Sequence, residues 1–309
     1  MDRHRTALAT LVAAGLLLAV PARAEEAGKV PAPAARPVRA QVVIGIIPEL
    51  NLFKQRARFQ LLGEYLSRRI GVPVRFTILS RYGNILDRFE ADRLDGAFFG
   101  SFTGALAIQR LGVIPLARPV NLDGTSTYHG YLFVRRDSGI HDAAAMKGKR
   151  MAFVDRATTA GYVFPLAWLR ERGVRAPERW FAEAWFTGSH DASIEAVLDG
   201  KADVGCAKHD VYDRVRAEDP RVDRELVILA SSPPVPSNGL CVRADLEPDL
   251  REALRRALLD VAGEPEGAKV LAQFGALRFI ATTTADYASV TTLARQAGID
   301  LGTYRYRND

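Results

Sequence analysis

The chain has 309 residues, 48% of them hydrophobic and 25% charged, with a formal net charge of +6 and a mean hydropathy of −0.04. This length suits two domains, and this composition belongs to a soluble chain that buries a sizeable core, which excludes disordered, fibrous and polytopic membrane classes. The basic residues are interleaved with acids, as in RVRAEDPRVDRE at 214–225, so no basic stripe marks a nucleic-acid surface.

Residues 1–24 open with Arg3 and Arg5, continue in an apolar run from Ala7 to Val20 and close on Ala22-Arg23-Ala24. This is the pattern of a cleavable export signal. The run is too short for a spanning helix. No cysteine lies near the cleavage point, so a lipoprotein is not expected. The mature chain is expected in the periplasm. Residues 25–40 are rich in Ala and Pro and read as a flexible tether.

From residue 41, short β-branched and aromatic runs alternate with amphipathic stretches. VVIGII (42–47) is a strand, and Leu61, Leu62, Tyr65, Leu66 and Ile70 mark the buried stripe of a helix stopped at Gly71. VPVRFTIL (72–79), a helix around Ile85, Leu86 and Phe89, GAFFG (96–100), a helix from Phe102 to Leu111, VIPLA (113–117) and YLFVRR (131–136) follow. The pattern then restarts with RMAFVD (150–155), a helix to Arg172, FAEAWF (181–186), a helix from His190 to Asp199, ADVGCA (202–207), a further helix and LVILAS (226–231). SSPPVPSNG (231–239) leads to a last strand, GLCVR (239–243), and a helical tail from 248. The expectation is an α/β protein of two Rossmann-like lobes joined by a double hinge. Lobe 1 comprises 41–137 and 237–309, and lobe 2 comprises 138–236. Crossings are expected near Asp137 to Ala145 and Ser231 to Asn238, with a ligand cleft between the lobes.

Catalytic signatures are missing from the sequence. GSFTG (100–104) carries Phe102 where a nucleophile elbow needs serine, no Walker loop or H-E-x-x-H is present, and Cys206-Ala-Lys-His209 is half a metal site. No enzyme activity, metal or cofactor is predicted. VDRATTAGY (154–162) is more informative, because a strand ending at Asp155 turns into a helix through Thr158, Thr159, Ala160 and Gly161. Unpaired amides at a helix start, with hydroxyls beside them and a glycine admitting close approach, make a seat for an oxyanion. Taken alone, Thr158 also reads as an N-cap. Ser189, His190 and Asp191 open another helix, Tyr82 sits at a strand-to-helix turn, and Phe99 ends GAFFG. All lie at the carboxyl ends of predicted strands, where open α/β sheets hold ligands.

Taken in order over residues 41–300, these segments resemble the phosphonate- and phosphite-binding subunits of ABC importers, which are type II periplasmic binding proteins. RYGNI (81–85) is similar to the family's turn carrying a ligand-contacting tyrosine, here Tyr82. DGAFFG (95–100) resembles its acidic-aromatic segment, with Phe99 where tyrosine is common, and TYHGYLFVRRDS (127–138) puts Tyr128 at the strand leading to the first crossing. VDRATTAGY resembles the phosphonate cradle, and GSHDASIEAV carries over its histidine as His190. Asp210 matches a position where aminophosphonate binders hold an amine. The departures are Ala160 for the last cradle serine, Arg156 for a proline and Phe99 for tyrosine, which loosen a three-oxygen phosphonate grip.

The resemblance implies a monomeric, non-enzymatic protein that captures a small phosphonate- or phosphite-like anion and delivers it to an ABC permease. A membrane histidine kinase reading the closed form is the alternative partner. Cys206 and Cys241 fall in strands assigned to different lobes and are expected as free, buried thiols.

Overall fold

The computed structural model describes residues 40–47, 52–79 and 85–306; the predicted signal peptide and nearly all of the tether lie outside them. In chain order, β1 (Val42–Ile46), α1 (Leu52–Ile70), β2 (Val74–Ile78), α2 (Ile85–Ala91), β3 (Gly96–Phe99), α3 (Ser101–Leu111) and β4 (Ile114–Val120) form the first part of one lobe. β5 (Thr127–Tyr128) leads to β6 (Gly130–Arg135), β7 (Arg150–Phe153), a π-helical turn at Thr159–Val163, α4 (Phe164–Glu171), α5 (Pro177–Trp180) and β8 (Glu183–Phe186). Then come α6 (His190–Leu198), β9 (Val204–Lys208), α7 (His209–Glu218), α8 (Arg221–Glu225) and β10 (Leu226–Ser231). The return runs through β11 (Val235–Pro236) to β12 (Gly239–Val242), α9 (Pro248–Asp260), α10 (Gly267–Phe274), β13 (Arg278–Ala281) and α11 (Ala288–Gln296).

β1 is a run of β-branched residues flanked in parallel by β2 and β3, and it is buried on both faces, as the interior strand of an α/β sheet must be. The first sheet has the order β13-β4-β12-β3-β1-β2 and the second β10-β6-β9-β7-β8. Each mixes parallel with antiparallel pairs, because the returning β12 and β13 enter the first sheet antiparallel and β6 lies antiparallel to β9. α1 presents Phe59, Leu62, Tyr65 and Leu66 to the first sheet, where the rings of Phe59, Phe98 and Phe274 meet at 5.2–6.0 Å. The Tyr65 hydroxyl donates to the Ala257 carbonyl at 3.0 Å, fixing α1 against α9.

Two lobe boundaries differ from expectation. YLFVRR, assigned to lobe 1, is β6 and lies inside the second sheet between β9 and β10. The outward crossing therefore falls at β5, before His129, and not near Asp137 to Ala145. There β5 pairs antiparallel with β11, so the outgoing and returning chains form a two-stranded ribbon. The end of the chain also leaves lobe 1: α11 packs on α3 of the first lobe and on α4 of the second. Beyond it, the Tyr304 ring meets Phe102 at 5.6 Å while its hydroxyl donates to the Arg156 carbonyl at 3.1 Å.

Cys206 in β9 and Cys241 in β12 are free and fully buried. They belong to different sheets. Burial pushes both thiols up, Cys241 to about 12. The thiolate is the reacting species, so both groups should resist a polar thiol reagent at pH 8 while the protein is folded. Denatured, unreduced protein should titrate two thiols per chain; a count of zero would contradict this sheet assignment.

Candidate functional site

Two helix starts meet between the lobes. In the first lobe, Gly100 holds an extended conformation and α3 begins at Ser101. In the second, β7 ends at Phe153, and the chain turns through Asp155, whose side chain accepts from the Ala157 amide at 2.7 Å. The π-helical turn then opens at Thr159 with Thr158 extended before it. The first amides of a helix lack intrahelical partners and form the positive end of its dipole, so each lobe directs such an end toward the other. Ser101 Oγ lies 2.6 Å from Thr159 Oγ1 and 2.5 Å from the Tyr128 hydroxyl, and all three residues are buried. A hydroxyl network thus joins the first lobe, the crossover and the second lobe.

The two threonines of this turn are not equivalent. Thr158 Oγ1 donates to the Asp155 carbonyl at 2.7 Å, so its proton serves the turn, whereas Thr159 faces Ser101. Gly161 is required by close packing: a Cβ there would stand 2.4 Å from Val154 Cβ and 2.6 Å from Thr158 Oγ1. Ala160 is buried against Gly130, where a Cβ would come 2.9 Å from Ala160 Cα. Ser101 thus supplies a hydroxyl beside a turn in which Ala160 brings none.

His190 is buried at the first position of α6, behind the N-cap Ser189. Its Nδ1 accepts from the Lys208 amide at 3.3 Å, which leaves the proton of a neutral ring on Nε2. Lys208, buried at the end of β9, places its ammonium 4.5 Å from the Tyr128 ring centroid and 3.5 Å from Asn238 Oδ1. The Asp210 side chain is half-exposed, with its carboxylate 4.0 Å from that ammonium. Lys208, Asp210 and Asn238 line one cavity with Gln55, Arg58 and Phe98 of the first lobe.

Of the residues predicted from sequence, the structure groups Tyr128 and Thr159 in one hydroxyl network, with Thr158, Ala160 and Gly161 in the turn around it. His190 and Asp210 are reached through Lys208. Tyr82 lies outside the described residues. Phe99 is fully buried, 5.5 Å from the Phe89 ring; its neighbour Phe98 is also buried in the core and is among the residues lining the cavity. Successive strand side chains point to opposite faces, so the two rings enter different core clusters. Ser101, Lys208 and Asn238 were missed. Ser101 lies in GAFFGSFTGA, whose strand-to-helix turn also carries Phe99, and Lys208 lies in the half metal site Cys206-Ala-Lys-His209; the signal of each is its position, where a strand passes into a helix.

Two mixed α/β lobes, a paired crossover and facing helix starts between them define a two-lobe solute-binding protein of the type II periplasmic fold. Consistent with this, the structure aligns at a TM-score of 0.72 with the Prochlorococcus marinus PhnD1 protein in complex with methylphosphonate, at 23% identity over 84% of this chain and 98% of that one. The chain belongs to the family of ABC transporter phosphonate periplasmic substrate-binding proteins, whose model matches residues 44–287. A probable ABC transporter phosphite-binding protein of Prochlorococcus marinus is 26% identical over 82% of this chain and 88% of its own length. A phosphate-import protein of Mycolicibacterium smegmatis is 30% identical over 56% of each chain. The protein is thus a periplasmic binding component of an ABC importer.

Proposed function

We propose that this protein closes its two lobes on a small phosphorus oxyanion, gripped between the start of α3 and the Thr158–Gly161 turn. The hydroxyl pair Ser101–Thr159 carries this reading, because it brings together donors from both lobes beside two positive helix ends. A dianion inserted there would accept charge-assisted hydrogen bonds from both sides and so favour the closed form. His190 and Tyr128 would add donors from the flanks, and Tyr82 is proposed as a ligand contact on the family resemblance alone. Asp210 would hold a positively charged ligand arm only by competing with Lys208 for its carboxylate. Relatives named for phosphite and for phosphate, and one bound to methylphosphonate, support phosphorus oxyanions as the class.

The chain would be exported by its cleavable signal, act as a monomer without making or breaking bonds, and present its closed form to the permease. Membership of a transport family favours the permease over a histidine kinase as partner. Thermal unfolding of the mature protein against phosphate, phosphite, methylphosphonate, 2-aminoethylphosphonate and sulfate tests the reading. A ligand at a hundred times its Kd adds about 2.7 kcal/mol and should raise Tm by a few degrees. No shift with any phosphorus anion would refute it.

A further inference from the structure

Gln55, one of the residues lining the interlobe cavity, carries a buried acceptor that the oxyanion grip does not use. Gln55, on α1, is 1% exposed. Its Nε2 donates to the Ile47 carbonyl at 2.9 Å, which fixes the amide's orientation and leaves Oε1 as the remaining group. Among the described residues, Oε1 is buried without a hydrogen-bond partner. Leaving a buried acceptor unsatisfied is costly, and native proteins rarely do so without a role for the group. Gln55 lines the cavity across from Lys208 and Asp210 of the second lobe. The volume is about 40 Å³, enough for one small polar group and too little for a large substituent. The cavity adjoins the oxyanion seat through Asn238, whose Oδ1 would lie 3.7 Å from a Cβ at Gly100, the residue before Ser101.

We propose that Gln55 sets ligand preference: its side-chain carbonyl accepts a hydrogen bond from an O–H or N–H on a short arm of the bound phosphorus oxyanion. The inference rests on the oxyanion reading above and deepens it by assigning the arm a chemistry. An apolar arm would bury the same carbonyl unpaired, and sites built around such a group discriminate strongly against ligands that lack the matching donor. Wild-type protein should therefore prefer hydroxymethylphosphonate to methylphosphonate by about tenfold or more.

The test is calorimetric titration of both ligands into wild type, Gln55→Leu and Gln55→Met, two apolar replacements of similar length. The expected result is that both variants bind methylphosphonate at least as well as wild type and lose the preference for the hydroxyl-bearing ligand. If Gln55 serves only the fold, or pairs only with a buried water, the variants will change in Tm while the ratio of the two affinities stays put, and the proposal is overturned. Equal affinities in wild type overturn it as well. Failure of wild type to bind any phosphorus oxyanion would instead refute the capture reading, and this inference with it; tight methylphosphonate binding with an unaltered ratio condemns only the role of Gln55.

Discussion

Gly161→Ala is expected to lower stability by about 1–3 kcal/mol, the usual range for an overpacked core, and to abolish oxyanion binding. The added methyl has nowhere to go. It would stand 2.4 Å from Val154 Cβ and 2.6 Å from Thr158 Oγ1, and neither neighbour is a flexible chain end. Val154 donates its amide to the Gly161 carbonyl at 3.0 Å, the Cys206 thiol donates to the same carbonyl at 3.2 Å, and Thr158 is held by Asp155. Relief requires the turn to move off β7, which carries the amides of Thr159 and Ala160 away from the start of α3. Denaturant melts and ligand-induced Tm shifts read the two effects separately. A variant that unfolds like wild type and still binds would show that the turn is not the cradle.

Ser101→Ala and Thr159→Val should each weaken phosphorus-oxyanion binding by roughly ten- to a hundredfold, since a hydrogen bond to a charged oxygen contributes about 1.5–3 kcal/mol. Both substitutions nearly preserve shape, so the fold should stay within about 1.5 kcal/mol of wild type. The two hydroxyls bond to each other, and groups in one network do not contribute independently. Removing the second should thus cost less than removing the first. Isothermal titration of the single and double variants measures this coupling. Unchanged Kd in both single variants would exclude the interlobe hydroxyl pair from the site, while strict additivity would mean that each hydroxyl meets the ligand without the other.

Much of the candidate site is legible in the sequence because its segments are local. The Thr-Thr-Ala-Gly turn after a strand, the Ser-His-Asp helix start and the Asp-aromatic-aromatic-Gly segment are contiguous, and their chemistry follows from strand ends that meet helix starts. What escaped reading depended on partners far along the chain. Ser101 gains its meaning from Thr159, 58 residues away, and Lys208 gains its own from Tyr128 and Asn238. Phe98 and Phe99 have the same composition and neighbourhood in sequence, and only the pairing of β3 between β1 and β12 decides which core cluster each ring enters.

The sequence by itself determined the alternation of strands and helices and the α/β class, and it raised residues 158–161 as a candidate oxyanion seat. These depend on periodicity, on backbone preference and on hydrogen bonds reaching only a few residues. The tertiary structure alone decided that β6 joins the second sheet, that the crossover pairs β5 with β11, that α11 rests on both lobes, and that Gln55, Lys208 and Asn238 share a cavity. The physical reason is that a doubly buried strand such as GYLFVR offers the same apolar pattern to either sheet. Its place is settled by which edges remain to be paired and which faces to be covered once the rest of the chain has folded.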